Sequence, residues 1–397
     1  MGACFSRQPR QPGTRSGAKQ QEDLQVSASP DLASSKERAK HPAVSKAAAP
    51  PKAQQAAAAT QHTPRSSVPT RSTSSHSPFI GNVSSAGPDE PSNLRERYRI
   101  LRKLSKRSRS PVFEAVHRAT KERVAIKLLA RGPDCSTLLR GIENHLELSH
   151  PHIIDIKEVH LTPKYLGLVL EFAPGGDLFQ YIQSHGSLTE TETRRIFQQL
   201  IIALEYCHGK GIVNRDLKPE NTLIMTRKGM PFVKLSDFGY SKMEAIETQL
   251  RTQVGTVGYT APEILMGLNH SNEVDIWSAG VMLYVMLFGA YPFLEDSELM
   301  EERAKFTLTH QRVLAADYKL PADAHVSTDV ADLLKGLLVV NPAHRLTIPA
   351  IMKHPWFREA LPEKATLLNS RCWATSWSLH QDRSEVHDLL IQAQYSP

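Results

Sequence analysis

Paired cysteines are missing from this chain. Its four cysteines, Cys4, Cys135, Cys207 and Cys372, lie far apart with no disulfide-like or metal-type spacing. That excludes a disulfide framework and fits a reducing compartment. Long apolar runs are missing too. The longest, Ile276 to Phe288, contains Trp277, Ser278 and Gly280 and is too short to cross roughly 30 Å of hydrocarbon, so it predicts a buried helix. No internal repeat is evident. Aromatic residues are scarce before residue 90, where only Phe5 and Phe79 occur.

What the first ninety residues have instead is Ser, Ala, Pro, Gln and Thr, with tracts such as Ala53-Gln54-Gln55-Ala56. Such a composition buries too little apolar surface to offset the entropy of ordering, and residues 1–92 are expected to be a largely disordered tail. Eleven basic and six acidic residues fall within 1–90, so most of the chain's +7 surplus belongs to the tail. The remainder carries no strongly basic face, and no nucleic-acid partner is expected.

The chemistry concentrates in Asn214-Arg-Asp-Leu-Lys-Pro-Glu-Asn221, followed sixteen residues later by Asp237-Phe238-Gly239. Asp216 is placed to accept a hydroxyl proton and Lys218 to neutralise a moving phosphoryl group. Asn221 and Asp237 supply hard oxygen donors for Mg²⁺. Phosphoryl transfer needs this mixture, because it asks for positioning and charge neutralisation more than for covalent help. The set resembles the catalytic and metal-binding loops of protein kinases at every residue but one, since Asn214 stands where the family usually has His.

The resemblance runs over residues 94–360 and implies an α+β, bilobal fold: a small antiparallel β lobe with a helix (about 94–170) and a large, mainly helical lobe (about 174–360). Tyr98–Leu104, Val112–Val116 and Arg123–Leu129 read as strands from their partial alternation and β-branched content. Val124-Ala-Ile-Lys127 resembles the kinase strand whose lysine grips the ATP phosphates, and the resemblance also places Val112, Ala125 and Leu223 around the nucleotide. Two departures follow from this alignment. The phosphate-covering loop has Ser105, Arg107 and Ser110 at its glycine positions, so it is expected to be stiffer and bulkier, with Lys106, Arg107 and Arg109 able to reach phosphates by side-chain charge. The helical carboxylate that pairs with the lysine in relatives is Gly141 here. Glu143 lies about 200° away around a helix and cannot replace it without a register shift.

Leu166–Glu171 leads into Phe172-Ala-Pro-Gly-Gly-Asp177, by resemblance the hinge, with backbone groups of Glu171 and Ala173 meeting adenine and Asp177 near the ribose. Thr189 and Glu192 are spaced as a capping box, and Ile196, Leu200, Ile201, Leu204 and Cys207 form an ordinary core stripe behind it. Lys218, two residues after Asp216, matches the serine/threonine variant of the loop, in which Thr256 steadies the acid and the lysine. Thr252 stands where relatives are phosphorylated by an upstream kinase, with Arg215 as partner for that phosphate. The resemblance also pairs Glu263 with Arg345 and makes Asp275 the anchor of the catalytic loop.

Asp237-Phe-Gly-Tyr-Ser-Lys242, Leu283–Phe293 and Arg345-Leu-Thr-Ile-Pro349 resemble the plant stress-responsive branch of the sucrose-nonfermenting-related kinases. The tail, 361–397, carries that branch's short regulatory helix at about 384–394, where Val386, Leu389, Leu390 and Ala393 share one face. In relatives this helix packs on the small-lobe helix. At the other end, Met1-Gly2-Ala3-Cys4-Phe5-Ser6 fits N-myristoylation of Gly2 with palmitoylation of Cys4, beside Arg7, Arg10, Arg15 and Lys19. This implies a cytoplasmic protein held peripherally at membranes, although a basic, Ser- and Ala-rich transit peptide reads similarly.

Two functions stay open at this level. One is an active, monomeric serine/threonine kinase that uses ATP and Mg²⁺ on protein substrates. The other is a pseudokinase scaffold, favoured by Ser105, Arg107, Ser110, Gly141 and Asn214.

Overall fold

Aliphatic residues on both faces make Arg123–Ala130 the most buried strand of the small lobe. In the computed structural model it is β3 of a five-stranded antiparallel sheet, ordered β1-β2-β3-β5-β4. The others are β1 (Tyr98–Lys103), β2 (Val112–His117), β4 (Ile156–Leu161) and β5 (Tyr165–Glu171). The residues described are 92–104, 110–131, 135–162, 164–226, 229–238, 257–294, 300–322, 325–365, 367–372 and 381–395. The N-terminal tail with Gly2 and Cys4, the loop positions Ser105 and Arg107, and Thr252 and Thr256 lie outside them.

Register puts Val112 opposite Lys127 and Lys127 opposite Leu168. One sheet face buries Val124, Ile126, Leu128 and Val169 with Leu94 of a short, unanticipated helix, α1 (Ser92–Arg97). The other faces α2 (Ser136–Leu146), where Leu139, Ile142 and Leu146 join Ala125, Leu129 and Leu168.

The large lobe begins with α3 (Leu178–His185) and α4 (Glu190–Gly209). Thr189 caps α4 by accepting the Glu192 N–H at 3.3 Å. Glu192 does not return the bond that a full capping box requires, because its carboxylate accepts from the Tyr181 hydroxyl instead. A small hairpin, β6 (Thr222–Ile224) with β7 (Val233–Leu235), follows. After α5 (Pro262–Leu265) comes α6 (Glu273–Phe288), the helix expected from the apolar run, and it is buried from Val274 to Leu287. Gly280 is required there: a Cβ would sit 2.9 Å from Leu337 and Leu338. Those residues lie at the end of α8 (Thr328–Leu337), which follows α7 (Glu302–Ala315). The lobe closes with α9 (Ile348–Lys353) and α10 (Pro355–Arg358). Trp277 stacks on Phe293 with centroids 5.4 Å apart.

The tail returns to both lobes. In α11 (Leu368–Cys372), Asn369 donates to Ile202 O and Glu205 Oε2 at 2.9 and 2.8 Å and lies 2.9 Å from His150 Nε2. In α12 (Arg383–Tyr395), Val386, Leu390 and Ala393 enter the small-lobe core beside Leu139 and Ile142. Ala393 O accepts from Arg131 Nη2 at 3.0 Å and from Cys135 Sγ at 3.3 Å, and Gln381 bonds both N–H and C=O of Val159. Burying Val386 and Leu390 contributes about 3–6 kcal/mol. Deleting residues 380–397 is therefore expected to lower small-lobe stability by several kcal/mol and to reduce activity. Urea melts and turnover unchanged by the truncation would rule out a propping role.

Candidate active site

The catalytic loop is built by its anchor. Helix α4 ends at Gly209, and two residues on Gly211, with a φ of 74°, turns the chain. Asp275, fully buried at the start of α6, then accepts the N–H groups of Asn214 and Arg215, one on each oxygen, both at 2.8 Å. His208 Nε2 lies 2.8 Å from the same carboxylate. This support holds Arg215 at φ 63°, a left-handed conformation that costs a non-glycine residue about 1–3 kcal/mol.

Asn214 takes a position the sequence did not reveal. Its Oδ1 accepts the Asp216 N–H at 3.1 Å, an Asx turn that fixes the backbone of the acid itself. Its Nδ2 is buried and has no partner among the described residues. The aromatic neighbour of Phe238 is found elsewhere, in His145 of α2, with centroids 4.8 Å apart. His145 Nε2 sits 2.6 Å from Ile154 O. Burial pushes its pKa down to about 4, so the ring is neutral at physiological pH.

Around Asp216 the expected groups converge. Asn221 Nδ2 donates to Asp216 Oδ2 at 2.8 Å and to its backbone carbonyl at 2.9 Å. Lys218 Nζ is 3.3 Å from the same carboxylate. Asn221 O in turn accepts from the N–H and hydroxyl of Ser236, both at 2.9 Å, tying the loop to the residue before Asp237. Asp237 has a φ of 59° and ion-pairs with Lys127. Helix α2 runs unbroken through Gly141, and Glu143 is solvent-exposed, as its angular offset predicts. Lys127 therefore meets Asp237, with no acidic side chain at position 141.

Both lobes contribute to one apolar group: Val112 and Leu104 from the small lobe, Leu223 and Met225 from the large lobe and Phe172 of the hinge all pack against the core that contains Ala125. Residues 173–177 lie against β6 through Gly175 N to Ile224 O at 2.9 Å and Ile224 N to Gly176 O at 2.8 Å. A Cβ on Gly175 would fall 2.6 Å from Thr226 O, so only glycine permits that approach. Asp177 sits at the end of this strap and caps α3, accepting from the Gln180 N–H at 2.8 Å, while burial raises its pKa. The Glu171 side chain accepts from Lys234 Nζ at 2.6 Å.

Residues 98–357 match the protein kinase domain. The chain belongs to the protein kinase family. It is 42% identical to serine/threonine-protein kinase SAPK9 of Oryza sativa subsp. japonica over 269 residues, covering 67% of this chain and 73% of the relative. Serine/threonine-protein kinase SRK2B of Arabidopsis thaliana is 45% identical over 249 residues, 62% of this chain and 68% of the relative. An abscisic acid-inducible protein kinase of Triticum aestivum is 46% identical over 249 residues, 62% of this chain and 74% of the relative. The likeness to the plant stress-responsive branch, read from motifs in this kinase, is borne out by these relatives. Glu263 and Arg345 form the expected pair, bidentate at 2.8 and 2.9 Å. His145, Lys234 and Arg123 were not found from sequence, because their partners lie about fifty or more positions away.

Proposed function

We infer that this kinase is an active serine/threonine protein kinase that transfers the γ-phosphoryl group of ATP to hydroxyls of protein substrates. The observation that carries this reading is the convergence of Lys218 and Asn221 on the Asp216 carboxylate, together with the Lys127–Asp237 ion pair. Nothing in the relatives favours the scaffold reading.

Asp216 accepts the proton of the incoming hydroxyl, and its orientation comes from Asn214 and Asn221. Lys218 supplies positive charge beside it, where charge moves during transfer. Lys127 pairs the nucleotide phosphates once they displace its contact with Asp237. Asn221 Nδ2 is committed to Asp216, which leaves its Oδ1 as a hard donor alongside the carboxylate of Asp237 in the donor set. That pair suits Mg²⁺, which when bound neutralises phosphate charge. Val112, Ala125 and Leu223 pack the adenine, the backbone of Glu171 and Ala173 meets its edge, and Asp177 stands near the ribose. A radiolabel-transfer assay with ATP·Mg²⁺ and a generic protein acceptor tests the reading, and failure of the intact chain to bind ATP·Mg²⁺ would return the scaffold alternative.

Regulation enters through the segment after Gly239. Arg215 is exposed and held by Asp275, a suitable partner for a phosphate on Thr252 placed by an upstream kinase, while Thr256 steadies Asp216 and Lys218. Among the described residues no helix is long and apolar enough to cross a membrane. Peripheral attachment through acylated Gly2 and Cys4 is the reading that Met1-Gly-Ala-Cys-Phe-Ser6 supports. The mass of the N-terminal peptide from plant-expressed protein is expected to carry a myristoyl increment, and an unmodified Gly2 or Met1 would end that reading.

A further inference from the structure

The hinge is gripped by a cation from each lobe. From the large lobe, Lys234 of β7 reaches Glu171 Oε2 at 2.6 Å and approaches Asp155 Oδ2 at 4.0 Å. Its side chain is only 9% exposed. Asp155 closes the group through its backbone: its carbonyl accepts the Glu171 N–H at 3.0 Å, and its own N–H lies 3.4 Å from Glu171 Oε2. From the small lobe, Arg123 of β3 places its guanidinium 4.3 Å over the ring of Phe172. That guanidinium is itself held by Glu114, a buried carboxylate that also accepts from Arg102 Nε at 2.8 Å. Bracing by Glu114 holds the cation over the ring.

Neither contact is needed for strand pairing, since β3 and β5 are joined along their whole register by backbone bonds. What the two cations share is a target, consecutive hinge residues. Lys234 lies three positions before Asp237, on the strand β7 that leads into it, and Arg123 lies four before Lys127 on β3. Each therefore links the hinge to a strand that delivers one member of the Lys127–Asp237 pair. With glycine at position 141, that pair receives no carboxylate from α2 to set its spacing.

We propose that Lys234 and Arg123 are positioning residues that clamp Glu171-Phe172 from opposite lobes, so that the hinge aligns Lys127 with Asp237 and holds the adenine slot in shape. The ATP consequence rests on the function proposed above, whereas the clamp itself does not. The test uses the full chain as wild type, Lys234→Met, Lys234→Arg, Arg123→Leu and Phe172→Leu. Hydrogen exchange of the hinge amides at 171–173, 175 and 176 is read together with ATP·Mg²⁺ affinity by calorimetry and the split between KM and kcat.

Lys234→Met and Arg123→Leu are each expected to speed hinge exchange and to weaken ATP by about tenfold, with the loss in KM rather than kcat. Lys234→Arg restores both, and Phe172→Leu reproduces Arg123→Leu without adding to it. Hinge exchange and ATP affinity unchanged in both Lys234→Met and Arg123→Leu would overturn the clamp. So would faster exchange spread evenly over the small lobe, which marks a merely structural loss. If wild type fails to bind ATP·Mg²⁺ while hinge exchange still responds, the clamp stands and the kinase reading falls.

Discussion

Replacing Asp216 by Asn is expected to cut turnover by about 10²–10⁴-fold, the usual contribution of a positioned general base, while leaving ATP·Mg²⁺ bound. The substitution keeps the shape of the side chain and removes its ability to take a proton. Two contacts define what else changes. Asn221 Nδ2 donates to Asp216 Oδ2 at 2.8 Å, so the new amide turns its oxygen there and puts its NH₂ at the Oδ1 position, while Lys218 Nζ at present lies 3.3 Å from each carboxylate oxygen. Lys218 keeps the amide oxygen as an acceptor but loses the Oδ1 contact and the opposite charge, which adds to the loss. The Asx turn from Asn214 Oδ1 to the backbone at 216 is untouched, so the loop keeps its course. Equal transfer by wild type and Asp216→Asn, measured with the same acceptor, would remove Asp216 from the mechanism.

Among single substitutions, the largest expected effect on stability belongs to Arg345. Its side chain is 0% exposed and that of Glu263 2%, and the two share a bidentate bond. Arg345 also donates to Glu273 O at 2.6 Å and, through Nε and Nη2, to Val339 O at 3.1 and 3.0 Å. Its guanidinium stacks 5.3 Å from the Trp277 ring. Arg345→Met leaves a carboxylate buried without its cation, which costs about 3–5 kcal/mol. The double variant Arg345→Met/Glu263→Met is expected to recover part of that, because an apolar pair of similar volume leaves no stranded charge. Recovery stays incomplete, since the carbonyls of Val339 and Glu273 lose their donor in either case. Chemical denaturation of the two singles and the double measures the coupling, and simple additivity would show that the pair contributes nothing as a pair.

Both arguments start from residues that local pattern made visible. Strands β1–β3, the buried helix from Ile276 to Phe288 and the apolar face of α12 all follow from periodicity, which depends on neighbours a few positions away. The catalytic set was legible because its members fall within one loop and the residues just after it. What escaped notice was long-range choice of partner. Thr189 and Glu192 have the spacing of a reciprocal cap, yet Tyr181 captures the glutamate. Glu171 was read for its backbone alone, and only the fold brings Lys234 to its side chain. Asn214 stood out only as a departure from the family's usual His, whereas its amide secures Asp216 while His145 faces Phe238. In each case a polar side chain had several chemically reasonable partners, and tertiary placement selected one.

The return of α12 to the small lobe has a consequence for how the chain is made. Arg131 and the Ala393 carbonyl it bonds are 262 positions apart, and Val386, Leu390 and Ala393 complete a core whose other members are strands β3 to β5 and α2. Domains generally fold as units in the order in which they leave the ribosome, N-terminal first. Here the lobe that emerges first keeps an apolar face uncovered throughout synthesis of the larger one, until translation has passed Ala393. The lobe begun earliest is the last to be finished.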